Sequence, residues 1–138
     1  MRNRAHLTIG LLTLLGFICT GVYLRLHIAQ LVDGPEAVRI AFRSNHIYIL
    51  MSSLINLLLG VYAGPFVPRK PARLIGSILV LAAPFVLAAA FLTEPAKGRF
   101  ERPLTSAGVI VLAAGVIVHS ISAGRRRAAA ADAPATPR

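Results

Sequence analysis

Apolar residues along this chain gather into four runs, separated by polar breaks rich in Gly and Pro. The runs cover about residues 7–26, 46–65, 74–92 and 104–122. Each holds about 19–20 residues, the length a helix needs to cross a hydrocarbon core about 30 Å thick. Lipid offers no partner to a free backbone N–H or C=O, so each run is expected to be helical. The predicted fold is all-α: an integral membrane four-helix bundle with four transmembrane helices. The four-helix domain is expected over residues 1–124.

The breaks carry turn chemistry. Asp33-Gly34-Pro35-Glu36 separates the first two runs, and residues 37–44 then lead in as an expected short interfacial helix. Gly64-Pro65-Phe66-Val67-Pro68-Arg69-Lys70-Pro71 ends the second run in a basic turn. Thr93-Glu94-Pro95-Ala96-Lys97-Gly98 ends the third. After Gly124, Arg125-Arg126-Arg127 opens an Ala- and Pro-rich stretch, and 125–138 is expected to be a disordered tail.

Within the runs the polar positions are not scattered. In the first, His6, Thr13, Thr20 and His27 recur every seven residues, close to two helical turns, and form one stripe. In the second, Asn45, Ser52, Asn56 and Gly60 share a face, with His46, Ser53 and Gly64 on its edge. Ile47, Leu54, Leu58 and Val61 lie opposite. An amide in lipid is costly without a partner, so Asn56 is expected to point inward. In the fourth run Gly108, Gly115, His119 and Ser122 share a face. Helices one, two and four are therefore expected to pack through small and polar faces. The third run holds Pro84 and no deep ionisable group, and reads as structural.

Composition agrees with the pattern. Hydrophobic residues make up 56% of the 138, and the net charge is +10. The basic residues flank the apolar runs, which points to anionic headgroups and topology rather than nucleic acid. With the N-terminus placed in the cytoplasm, nine of the 15 basic residues fall on that side, including the Arg triplet, and six fall outside. Both termini are therefore expected to be cytoplasmic. Cys19 is the only cysteine and lies within the first run, so an intrachain disulfide is excluded. The first run continues past Val22 without a small-x-small site, and is expected to be an uncleaved signal anchor.

Candidate chemistry is sparse. His27 and His46 fall near the outer ends of helices one and two, with Arg25, Arg43 and Tyr48 close by in sequence. Two such histidines can ligate haem iron or a metal, and the arginines can hold a propionate or phosphate. The polar face of Asn45, Ser52, Ser53, Asn56 and His119 is the other candidate, as packing joints or as a pathway lining. All five acids are expected in loops or the tail, which weakens proton-coupled transport. Four helices in a chain of this length, with Arg43-Ser44-Asn45-His46 opening the second, are similar to the glutathione-linked membrane enzymes of eicosanoid metabolism. That family's second helix also needs an acid, where this chain has Tyr48, Ile49 and Leu50, so its chemistry is not expected.

The resulting expectation is a small, multi-pass protein of a bacterial inner (plasma) membrane without catalysis of its own. It is an accessory subunit or homo-oligomer, with the lipid bilayer and another membrane protein as partners, and no nucleic acid. No cofactor is expected; a b-type haem held by His27 and His46 is the alternative, and a small-solute transporter or channel a further one.

Overall fold

The computed structural model describes residues 2–27, 35–62, 71–95 and 101–131, with side chains from 4–27, 35–62, 71–95 and 101–122. Four helices follow one another: α1 Arg2–Leu26, α2 Glu36–Tyr62, α3 Pro71–Thr93 and α4 Pro103–Ala131. All four are long and apolar enough to cross a membrane.

Two boundaries differ from expectation. The separate interfacial helix is absent: α2 starts at Glu36 and runs unbroken through 37–44 into the span. Pro35 O accepts Val38 N at 3.0 Å and Arg39 N at 3.4 Å, which starts the helix, and Glu36 complements its positive end. Nothing between Ala37 and Asn45 breaks it. Its inward face, Ala41, Asn45, Ile49, Ser52, Ser53, Asn56 and Gly60, keeps helical spacing throughout. At the other end of the chain, α4 continues past Gly124 to Ala131, consistent with the high helix propensity of its alanines. The rest of the expected tail, 132–138, lies outside the described residues.

Packing is that of two antiparallel hairpins, α1/α2 and α3/α4, joined along α2 and α3. The bundle is open, because α1 and α4 do not touch. The glycine face of α4 therefore meets α3 rather than α1 or α2, which corrects the expected three-helix seam. Backbone proximity makes the reason plain. A Cβ on Gly115 would come within 2.9 Å of Val80 N, and one on Gly76 within 2.9 Å of His119 N. Only glycine at both positions permits this approach. One apolar cluster centres on Ile49, Leu87 and Phe91, and a second on Val80, Ala83 and Leu112.

Large apolar side chains cover much of the described outer surface. Ile47, Leu54, Leu58 and Val61 of α2 are all exposed, as are Leu11, Leu15, Ile18 and Val22 of α1. Meanwhile Asn45, Ser52, Ser53 and Asn56 are each 0% exposed. Polar groups inside and aliphatic ones outside is the arrangement lipid selects.

Candidate functional site: three polar joints

The first joint ties α1, α2 and α3 together at Asn56. Its Nδ2 donates to Ser52 O at 2.9 Å and to Val80 O at 3.2 Å. Its Oδ1 lies 2.9 Å from His6 Nδ1. With both amide hydrogens committed to carbonyls, Oδ1 must accept, so His6 carries its proton on Nδ1. The bond to Val80 O has a specific cause. In a regular helix that carbonyl would accept the N–H of residue 84, and Pro84 has none. The Asn56 amide supplies the missing donor from the neighbouring helix. Ser53 Oγ adds a bond to Gly10 O at 2.8 Å.

The second joint lies at the opposite end, where α2, α3 and α4 meet. Arg102 is the N-cap of α4, since its carbonyl accepts Ser106 N at 3.0 Å. Ser, Thr, Asp or Asn usually occupies that position, and Arg cannot cap the first turn. Glu94, just past α3 and only 4% exposed, does so instead. Its carboxylate accepts Leu104 N at 2.6 Å, Thr105 N at 3.2 and 3.3 Å, and the Thr105 hydroxyl. These are orphan donors at a positive helix end.

Arg102 is turned towards α2. Its Nη1 donates to Ser44 Oγ at 2.6 Å, and its Nη2 to Ala41 O at 3.3 Å and to Asn45 Oδ1. Thr105 Oγ1 is 2.7 Å from the same Asn45 oxygen. Asn45 Nδ2 is buried without a hydrogen-bond partner. Sequence reasoning missed Glu94, Arg102 and Thr105, because all the acids were expected in loops. Glu36 stands in the first turn of α2, and Glu94 is buried. The available signal was a helix opening on Arg102-Pro103 with no side chain of its own to cap it.

The third joint is His46. Its Nδ1 lies 2.9 Å from Thr20 Oγ1, and its ring stacks on Phe17 with centroids 4.1 Å apart. Thr20 Oγ1 also donates to Phe17 O at 2.9 Å, so the consistent proton placement has His46 Nδ1 donating to Thr20.

His27 is engaged elsewhere. Its Nδ1 bonds to Tyr23 O at 3.0 Å and its ring stacks on Tyr23. His46 thus meets α1 at Thr20, seven residues or about 10 Å along the helix from His27. The structure does not bring the two histidines to a common point. Arg25 and Arg43 are exposed, and Tyr48 packs against the Ile49–Leu87–Phe91 cluster. Ser52 Oγ donates to Ile49 O within its own helix, and His119 is buried where α4 meets Gly76. Among the described residues, no three His, Cys, Asp or Glu side chains gather into a metal-sized group.

A groove of about 330 Å³ runs between α1 and α3, from Ile9 to Thr20 on one wall and Pro84 to Leu92 on the other. Its floor is Ile49, the one α2 residue that lines it. Thr13 and Thr20 use their hydroxyls on α1 carbonyls, so the walls present hydrocarbon.

Fold and joints together define a class: an all-helical protein with four apolar helices of membrane-spanning length, pinned by buried polar side chains. Compared with family models, curated proteins and solved structures, the chain matches none.

Proposed function

We propose that this is a multi-pass protein of a bacterial inner membrane, with both termini cytoplasmic. In this reading it acts as a non-catalytic structural or accessory subunit, assembled with further copies or with another membrane protein. One observation carries the reading: the candidate polar residues on α2 make helix-to-helix or within-helix bonds, and none of them lines the groove. Side chains used in this way build a scaffold, not a reaction centre or a solute path. Support for assembly comes from α1, which packs along α2 and barely meets α3, leaving an aliphatic face uncovered by the other described residues.

Cys19 is exposed on α1 and is the sole cysteine, so it reports on that face without engineering. Thiol cross-linking in native membranes should yield a species heavier than the 14.7 kDa chain. A mild-detergent native gel should show the same. A lone monomer in both experiments refutes the assembly role.

A further inference from the structure

The groove between α1 and α3 has a direction. α1 and α3 run parallel, so both helix N-termini, with their partial positive charge, stand at the same end. Basic side chains stand there too. Tyr23 and Phe91 fix the register, with ring centroids 6.1 Å apart. Counting eighteen residues, or five turns, back along each helix reaches Ala5 and Arg73. Ala5, on the groove-facing line of α1, and Arg73 therefore lie at one depth.

Arg73 also shares a helix line with Pro84 and Phe91, both of which line the groove, because eleven and eighteen residues are close to three and five whole turns. Its Nε is buried and has no hydrogen-bond partner. At the far end stands an aromatic cluster of Tyr23, Phe42 and Phe91.

Dimensions point the same way. The wall from Ile9 to Thr20 is eleven residues, about 16 Å, close to half of a hydrocarbon core about 30 Å thick. From Ala5, level with Arg73, to Ile9 is a further rise of about 6 Å, room for a glycerol backbone.

We propose that the groove is a binding site for one anionic phospholipid. One acyl chain lies along the groove, and the phosphate sits against Arg73, near the two helix N-termini. The hydrocarbon walls exclude a free phosphate, and the cationic end selects against a zwitterionic headgroup. This site shares Cys19 with the proposed assembly face, and native mass spectrometry reads lipid retention separately on the monomer and on any assembly.

The test is native mass spectrometry of the detergent-solubilised protein, titrated with phosphatidylglycerol or phosphatidylcholine. Wild type should retain one phosphatidylglycerol in preference to phosphatidylcholine. Arg73→Gln should weaken that retention about fivefold, the worth of one cation near an anionic headgroup, and Arg73→Lys should preserve it. Gly16→Leu fills the groove where a Cβ meets nothing within 4 Å. It should abolish retention of either lipid while leaving the circular dichroism melt unchanged. Phosphatidylglycerol should also slow alkylation of Cys19, which lines the groove, whereas glycerol phosphate should not. Equal retention of both lipids, or indifference to Arg73→Gln, overturns the headgroup site. Indifference to Gly16→Leu overturns the groove.

Discussion

Replacing Asn56 with leucine keeps the side chain close in size and removes three hydrogen bonds at once. The bond within α2, to Ser52 O, matters least, since that carbonyl retains its own helix. The other two join helices. His6 Nδ1 loses the oxygen 2.9 Å away, and Val80 O loses the amide that stands in for Pro84's missing N–H. Interhelical hydrogen bonds in membranes average about 0.6 kcal/mol and reach about 1.7–2. A buried polar group left unpaired costs about 1–3 kcal/mol. The unpaired Val80 O together with the lost interhelical bond to His6 brings the expected loss for Asn56→Leu to about 2–5 kcal/mol.

The Pro84 argument makes a sharper demand. Pro84→Ala restores an N–H that can serve Val80 O from within α3. In that background Asn56→Leu should cost about 1–2 kcal/mol less than it does in the wild type, a coupling well outside the additive range. Reversible unfolding of the four variants, in mixed micelles or by steric trapping, measures the cycle directly. Strict additivity, or an Asn56→Leu variant within about 0.5 kcal/mol of wild type, would refute the donor-replacement reasoning.

Three further outcomes follow from the geometry. Glu94→Gln keeps the shape of the cap but loses its charge. Removing charge-assisted bonds to Leu104 N and Thr105 N should destabilise the protein by about 1–3 kcal/mol, read by thermal melting in detergent, and should raise hydrogen exchange in the first turn of α4. Gly115→Leu should be among the most damaging substitutions, because its side chain meets the Val80 backbone. Gly16→Leu on α1 should stay within about 0.5 kcal/mol of wild type; parity between the two would remove the close-packing account. His46→Ala should lower stability by about 1–2 kcal/mol through loss of the Thr20 bond and the Phe17 stack. His27→Ala should change little, and the purified protein should lack a Soret band. A haem spectrum abolished by either substitution would reverse that reading.

Much of this fold is legible along the chain because lipid imposes a simple rule. Aliphatic positions 47, 54, 58 and 61 face out, the polar positions opposite face in, and Asn56 is buried as its cost requires. What hydropathy does not read is helix length. It registers depth in lipid, whereas a helix continues as long as its backbone bonds do. Arg39 and Arg43 therefore hid the true start of α2 at Glu36. That shift decides the histidines: His46 lies ten residues, about 15 Å, into α2 rather than at its end, and so meets Thr20 instead of His27. Partner choice was hidden too. The glycines of α4 announce a close approach but do not name the helix approached, and the antiparallel hairpin gives them α3. The Glu94–Arg102 joint was the least legible, since its members come from three separated stretches and none belongs to a motif.

The open arrangement of the helices has a consequence in time. A chain made from its N-terminus completes α1 and α2 first, and the bonds between them, Ser53 to Gly10, His46 to Thr20 and Asn56 to His6, all lie within the first 56 residues. That hairpin can close before α3 exists. Among the polar contacts, those that must wait are the Asn56 amide for Val80 O and the N-terminal part of α2 for Arg102 and Thr105. Because α1 never meets α4, no late helix has to thread past an early one. The order of synthesis therefore places no obstacle in the way of assembly.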